Sequence, residues 1–368
     1  MRARQPQRGF TLIELMISLV LFSFAIAGAL SIAVSLTNGY REQRQAVATE
    51  MAVRAPMDFI SDAIRSATPA IPSGAVVSGI TEMACDATPC NGAPGTPIKP
   101  TIQDTQSCQY GAIWMVDGGT GATDELYVTY ASGAVITRPH SPTVGTTFDP
   151  SVGTSISVAN PTGIQPGDYL LVTDGNQGTI VQVSSTWVNP GYNANGTSVT
   201  LVAPNCTSGS ISVPAGGYGD SALVIRVYRA HFYIDTTSYA SPFGGFVPTL
   251  MMDPDSGGPA AAEPLAENIE DMQISLGIDV DGNGNIDPTE WAYSATTPGA
   301  LAGEVRAVRI TLTARASQTL IGNYTNDIVN SPFFYRGAEN RGANIAHDGY
   351  RRRVLTSTIE VRNTGGSP

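Results

Sequence analysis

A long apolar segment near the N-terminus constrains this chain more than any other feature. Residues 10–36 contain one formal charge, Glu14, and the segment exceeds the ~20 apolar residues that cross a bilayer as an α-helix. No acidic residue precedes it, but three arginines do: Arg2, Arg4 and Arg8. By the positive-inside tendency, the N-terminus is predicted to stay cytoplasmic while the rest of the chain crosses the membrane.

Two features separate this segment from an ordinary membrane anchor. A carboxylate near the start of a membrane helix costs roughly 2.5–3.5 kcal/mol on insertion scales, so Glu14 is a functional candidate in need of a partner. The dipeptide Gly9-Phe10 lies at the junction between the polar and apolar residues. Cleavage after Gly9 would remove the basic leader, keep the hydrophobic segment and create a free amine on Phe10, close to Glu14.

Residues Arg8–Met16 resemble the class III leader of type IV pilins and pseudopilins, with Gly9, Phe10 and Glu14 in the required places. The resemblance implies that a prepilin peptidase cuts after Gly9 and methylates the new N-terminal Phe10. It also implies that Glu14 neutralises the N-terminal amine during filament assembly.

Two simpler interpretations compete with this one. A plain membrane anchor explains the hydrophobicity but explains neither Glu14 nor the Gly9-Phe10 junction. A conventional secretory signal is the stronger competitor, because Ala25-Ile26-Ala27 has the small-x-small form of a cleavage site. The acidic residue inside the apolar region argues against such a signal.

The remaining chain has the composition of a β-rich domain. The whole chain has a formal net charge of −11, which disfavours nucleic acid as a partner, because that affinity depends on neutralising phosphates with Lys and Arg. Strand-like segments cluster after the helix, which predicts an α+β class with a mostly antiparallel sheet. The predicted strands are Ala112–Val116, Glu125–Tyr130, Tyr169–Thr173, Thr179–Val183, Ser198–Val202, Leu223–Ile234, Met272–Ile278, Ala307–Ala314 and Val354–Arg362.

The helix is predicted to continue past the apolar segment as an amphipathic stripe with three- to four-residue steps: Val47, Met51, Met57, Ile60 and Ile64. Pro56 predicts a kink or a break, with two separate helices as the alternative. The predicted fold is a pilin-like lollipop, in which this long helix packs on a β-rich head. Its parts are a cytoplasmic leader (1–9), a transmembrane and filament-core helix (10–36), the amphipathic continuation (37–68) and the globular head (69–368), with long loops at 69–110, 237–262 and 331–348.

Four cysteines lie beyond the export segment: Cys85, Cys90, Cys108 and Cys206. An even number in this context favours two disulfides. Zinc is the alternative, but the cysteine spacings match no paired zinc-ligand pattern. Cys85–Cys90 together with Cys108–Cys206 is the favoured pairing among three, and the sequence leaves the choice open.

The strongest motif in the head is the stretch Asp279–Glu290, which matches the twelve-residue calcium loop of EF-hands. An alternating segment, Met272–Ile278, leads into it as a strand, so a helix-loop-helix switch is not predicted. We expect the loop to bind one Ca²⁺, and a polar turn without metal is the alternative. The predicted ligands are Asp279, Asp281, Asn283, Asn285 through its backbone carbonyl, Asp287 and Glu290.

Three later segments add to the resemblance. Residues 266–279, 305–312 and 350–363 follow the leader in an order similar to PilW-type minor pilins, the assembly proteins of type IV pili. Residues 85–165 lie outside this likeness. The resemblance implies a non-enzymatic, low-abundance subunit that helps to initiate the pilus at or near its tip and serves motility and cell adhesion. Its implied partners are the prepilin peptidase, other minor and major pilins, and the inner membrane.

The resemblance also implies a single-pass inner-membrane protein with a periplasmic head before assembly, and a cell-surface pilus subunit afterwards. Two alternatives stay open. A pseudopilin of a type II secretion system would share the leader. A secreted, calcium-stabilised enzyme or adhesin would instead follow from cleavage after Ala27. Catalytic motifs do not support the enzyme, because the sequence contains no nucleophile elbow, phosphate loop or zinc signature.

Overall fold

The computed structural model divides the chain into two compact units, Met1–Ala48 and Thr49–Pro368. It describes residues 11–67, 76–79, 113–119, 121–140, 147–149, 153–175, 177–202, 216–219, 221–240, 245–253, 262–279, 281, 283, 285–292, 305–317, 350 and 352–361.

One helix, α1, spans Leu12–Ser66 and contributes residues to both units. It runs through Pro56 without a break, so the alternative of two separate helices is wrong. In the first unit, the side chains of residues 12–36 are exposed. By length and composition alone this part of the helix could cross a membrane, a test that core helices and signal sequences also pass.

In the second unit, the last turns of α1 bury one apolar face. Val53, Met57, Ile60 and Ile64 are at most 3% exposed, and their spacing keeps them on the same side of the helix. The predicted stripe began too early, because Met51 is 67% exposed. Six residues turn a helix by ~600°, which places Met51 ~120° away from Met57 around the axis.

The described residues of the second unit contain fourteen strands, and the class is α+β as predicted. All nine predicted strands are present, with ends shifted by at most a few residues except in β3, which runs on to Thr137. In chain order the strands are β1 (Val76–Gly79), β2 (Ile113–Val116), β3 (Glu125–Thr137), β4 (Ser155–Val158), β5 (Tyr169–Thr173), β6 (Gln177–Gln182), β7 (Thr197–Thr200), β8 (Leu223–Asp235), β9 (Thr249–Asp253), β10 (Glu263–Glu267), β11 (Ile269–Ile278), β12 (Trp291–Ala292), β13 (Val305–Arg315) and β14 (Arg352–Glu360).

These strands form three sheets in which every pairing is antiparallel except that of β1 with β6. The large sheet has the order β1-β6-β5-β8-β3-β2, with β9 added along the second half of β8 and β10 beside β9. The small sheet has the order β12-β11-β13-β14, and β4 pairs with β7 in the third sheet. Strand β9 lies inside the segment 237–262, so the prediction of one long loop there is wrong.

The main core lies where α1 meets the large and small sheets. It joins the helix residues Ile60 and Ile64 to Phe232 of β8 and to Ile310 of β13, all of them fully buried. A second core fills the space between β4, β7 and the adjacent part of the large sheet, around Trp187 and Tyr218. The amphipathic end of α1 is therefore part of the head's own core.

Candidate functional site

The start of α1 holds the first candidate residue, Glu14. Its carboxylate oxygen Oε2 accepts hydrogen bonds from the main-chain N–H and the side-chain Oγ1 of Thr11, both at 3.0 Å. The Glu14 N–H donates in return to Thr11 Oγ1 at 3.4 Å. Since the helix begins at Leu12, Thr11 is the N-cap and Glu14 the third helical residue, which is the reciprocal arrangement called a capping box.

This capping box is a second use of Glu14 that we did not infer from the sequence, although Thr-x-x-Glu before an apolar run is its known signature. Gly9 and Phe10, the predicted processing residues, lie outside the described residues. The same holds for the four predicted disulfide cysteines, Cys85, Cys90, Cys108 and Cys206. Their roles therefore stay predictions.

The second candidate site is the loop between β11 and β12, which are adjacent antiparallel strands. Leu276 pairs with Ala292 and Gly277 pairs with Trp291, so the segment 278–290 closes a hairpin at the edge of the small sheet. A strand leads into the loop, as predicted, and a single 3₁₀ turn at Pro288–Glu290 leads out of it. The motif is thus held by a hairpin instead of two helices.

Three of the predicted ligands come together. Asp279, Asp281 and Glu290 each offer a carboxylate oxygen, and these oxygens lie within 4.8 Å of one another. Ca²⁺ binds oxygens at about 2.3–2.6 Å, so oxygens of one ion are separated by up to about twice that distance. The cluster therefore has the span of a single-ion site.

The carboxylate of Asp279 has a cationic neighbour on β13. Arg306 Nε lies 2.9 Å from Asp279 Oδ2, and the Asp279 side chain is only 1% exposed. A nearly buried carboxylate needs such a pairing to offset its desolvation. The first residue of the motif is thus fixed against the small sheet.

The carboxylate of Glu290 bridges the loop by hydrogen bonds to main-chain amides. Its Oε2 accepts from the N–H of Asp287 at 2.8 Å, and its Oε1 accepts from the N–H of Asp281 at 3.4 Å. Asn283 and Asn285 continue the turn, because Asn283 N–H donates to Asp281 Oδ1 at 3.0 Å and Asn285 N–H donates to Asn283 Oδ1 at 2.7 Å. These bonds curl the loop around the carboxylate cluster.

Of the remaining predicted ligands, Asp287 is not part of the group of three carboxylates, and Asn283 is hydrogen-bonded within the turn. Asn283 donates its side-chain amide to Asp281 Oδ2 at 2.8 Å, which turns its own oxygen toward Asn285. Asp287 is exposed and lies outside the carboxylate cluster. A bound ion would therefore require Asn283 and Asp287 to reorient.

Ile286, a residue of the motif that we did not single out from the sequence, anchors the loop. A Cβ atom added at Gly277 would lie 3.0 Å from Ile286 Cγ2 and 3.3 Å from Ala307 Cβ. Gly277 thus leaves room for Ile286 to lie over the strand. On the far side of the hairpin, the Arg309 guanidinium lies 3.8 Å from the centre of the Trp291 ring. Both ends of the loop are consequently held by β13 and β11.

Comparison with known proteins gives two matches at the level of families. Residues 231–363 match the model described as Type IV Pilus-assembly protein W, and residues 4–30 match the Prokaryotic N-terminal methylation motif. The first match includes the whole small sheet and the calcium-type loop, and the second includes Gly9, Phe10 and Glu14. No curated protein and no solved structure matches the chain.

Proposed function

Because the chain is a type IV pilin-like PilW protein with a minor-pilin role in type IV pilus assembly, we propose that it acts when the filament is initiated. The observation that carries this proposal is the presence of both matches in one chain, the methylation motif at residues 4–30 and the PilW segment at residues 231–363. The family indicates a structural, non-enzymatic protein. The leader implies processing by prepilin peptidase and interaction with other pilins.

The leader supports a defined processing step. Cleavage after Gly9 leaves Phe10 at the N-terminus, where its amine is methylated. Thr11 and Glu14 follow directly, and their capping box presents the Glu14 carboxylate at the first turn of α1. In the membrane and in the filament, this carboxylate pairs with the Phe10 amine of its own or a neighbouring subunit. Pairing offsets the burial of both charges.

The charge pattern supports an orientation. Arg2, Arg4 and Arg8 precede the apolar segment, so the leader stays cytoplasmic, and residues 37–368, which include the head, lie in the periplasm before assembly. On that side of the membrane, Cys85, Cys90, Cys108 and Cys206 would be oxidised to disulfides. After assembly the head lies on the cell-surface pilus, at or near the filament tip.

Deletion of the gene is expected to abolish or strongly reduce surface pili while leaving protein secretion unchanged. Sheared pili and secreted proteins are measured in the same cultures, and complementation uses the full-length chain. Loss of secretion with normal pili would instead identify a pseudopilin of a type II secretion system. Immunogold labelling of the head addresses its position, and gold particles distributed along the filament would contradict a place near the tip.

We further propose that the hairpin loop binds one Ca²⁺. The support is the twelve-residue motif together with the gathering of Asp279, Asp281 and Glu290 within 4.8 Å. Asn283, Asp287 and the carbonyl of Asn285 would complete the ligands after reorientation. Because a strand and a 3₁₀ turn flank the loop, there is no helix pair to open. The ion is therefore expected to stabilise the small sheet and not to act as a signalling switch.

Excess Ca²⁺ is expected to raise the melting temperature of the full-length protein, purified in detergent, above its value in chelator. Extracellular calcium modules bind with Kd values of roughly 10⁻⁴–10⁻³ M. At 100 times the Kd, linkage adds about 2.7 kcal/mol to the free energy of unfolding. An identical melting temperature with Ca²⁺ and chelator would show that the loop is only a polar turn.

A charge-removing variant tests whether the loop itself causes the shift. Asp281→Asn/Glu290→Gln keeps oxygen acceptors for the loop amides and leaves the ion pair of Asp279 with Arg306 intact. It should reduce the calcium shift to near zero. The matched control is Glu263→Gln/Glu267→Gln, which removes two exposed carboxylates from β10. This control should retain the full shift, and equal shifts in both variants would refute the site.

A further inference from the structure

Asp124 connects the large sheet to the small sheet. It lies in the turn between β2 and β3, and it is fully buried. Its main-chain N–H donates to Met272 O at 2.8 Å, and its carboxylate oxygen Oδ2 accepts from the N–H of Ile274 at 2.7 Å. Asp124 thus forms hydrogen bonds with the main chain of β11 much as a residue of a neighbouring strand would, although it is 150 positions away from Ile274 in sequence. We call this set of contacts the joint.

Two further contacts complete the joint. The second carboxylate oxygen, Oδ1, accepts from the N–H of Gly118 at 3.0 Å. Gly118 approaches the chain so closely that an added Cβ would lie 2.2 Å from Thr123 O, so the turn is fixed in shape. The side-chain amide of Gln273 donates to Ala122 O at 3.0 Å. The turn 117–124 is thereby attached to β11 by side-chain and main-chain bonds.

The joint also concentrates carboxyl groups. Burial raises the pKa of Asp124 to about 7, and the negative charges of Asp117 and Asp271 act in the same direction. The hydrogen bonds from the amides of Ile274 and Gly118 stabilise the carboxylate, and they offset only part of that rise. Asp271 is itself fully buried. Ionised Asp124 therefore adds a further negative charge to a water-poor and already acidic place.

We propose that this joint is a proton-sensitive device, firmest while Asp124 is protonated and loosened when its carboxyl ionises. An unfolded Asp has a pKa of about 3.9, so the folded protein holds this proton more tightly than the unfolded chain does. The resulting stability is fully present below about pH 4 and is lost as the pH rises through about 7. The two sheets are thus coupled more weakly at mildly alkaline pH than at mildly acidic pH.

The test is thermal melting of the full-length protein in detergent from pH 5.5 to 8.5. The melting temperature of the wild type should fall by roughly 4 °C more than that of Asp124→Asn, whose side chain cannot ionise. Both proteins keep His140 and His231, so their difference isolates Asp124. A fall of the same size in Asp124→Asn would overturn the proposal.

A second variant keeps the proposal testable even if Asp124→Asn does not fold. In the wild type, Asp117 Oδ1 accepts a hydrogen bond from the N–H of Gly119 at 2.7 Å. Asp117→Asn retains an oxygen that can accept this bond. It removes one neighbouring negative charge, which lowers the pKa of Asp124, so the fall in melting temperature should move to lower pH. The pH midpoint of this fall is set by the ionisation of Asp124, whose proton is lost at lower pH when one opposing charge is removed. Above that midpoint the ionised protein is repelled by one charge fewer, so its melting temperature stays higher than that of the wild type. The observable is therefore a smaller total fall between pH 5.5 and 8.5 than in the wild type, with Glu263→Gln as the unchanged control. An unaltered fall in Asp117→Asn would contradict the joint.

Discussion

Replacing Glu14 by Val is expected to leave membrane insertion intact and to reduce incorporation into pili by more than about tenfold, because an uncompensated buried charge costs roughly 3–5 kcal/mol. Valine is apolar, so insertion itself becomes more favourable. The unpaired group would be the Phe10 amine exposed by cleavage. The measurement is the amount of the subunit in sheared pili relative to the amount in membranes.

A second substitution separates the two uses of Glu14. Glu14→Gln keeps an oxygen that can accept from Thr11, so the capping box can persist. It removes the negative charge that would neutralise the Phe10 amine. If charge pairing drives assembly, Glu14→Gln should fail in pili as Glu14→Val does. Normal incorporation of Glu14→Gln would show that capping is the main role, and mass spectrometry of the N-terminus controls for cleavage after Gly9.

The strands could be predicted where β-branched and aromatic residues recur between turn residues, as in Leu223–Asp235 and Val305–Arg315. Two of the strands that we did not predict lack this signal. The strand Glu263–Glu267 contains a proline and two acidic residues, and Trp291–Ala292 has only two residues. They exist because a neighbouring strand supplies their hydrogen bonds. Local composition does not encode such support.

The same distinction applies to the candidate sites: some of their residues follow from local spacing, and others follow only from contacts between distant parts of the chain. The carboxylates of the loop could be found from the sequence because their spacing is set within one short turn. Arg306, which pairs with Asp279, comes from a different strand and does not belong to the calcium-loop motif. Asp124 reaches Ile274 across 150 positions, so its burial follows only from the way in which the two sheets meet. Contacts of this kind depend on topology, which the pattern of residues along the chain does not reveal.

Phe232→Ala is expected to lower the free energy of unfolding of the head by about 3–5 kcal/mol. Phe232 is fully buried on β8, in the main core with Ile60 and Ile64 of α1. Its ring meets Phe59 of the helix edge-on, with ring centres 6.1 Å apart and an angle of 71° between the planes. Removing it leaves a cavity between the helix and the sheet, since neither element can collapse fully. The measurement is denaturant or thermal unfolding of the full-length protein in detergent.

A matched substitution controls for the loss of an aromatic ring as such. Phe246 is 52% exposed, and its main-chain oxygen accepts a hydrogen bond from Arg315 Nη2 at 2.9 Å that Phe246→Ala preserves. Surface substitutions away from such features usually change stability by no more than about 0.5 kcal/mol. Phe246→Ala should therefore melt close to the wild type, while Phe232→Ala should melt several degrees lower and accumulate to a lower level in cells. Equal melting temperatures for the two variants would mean that the end of α1 does not depend on Phe232 for its packing against the large sheet.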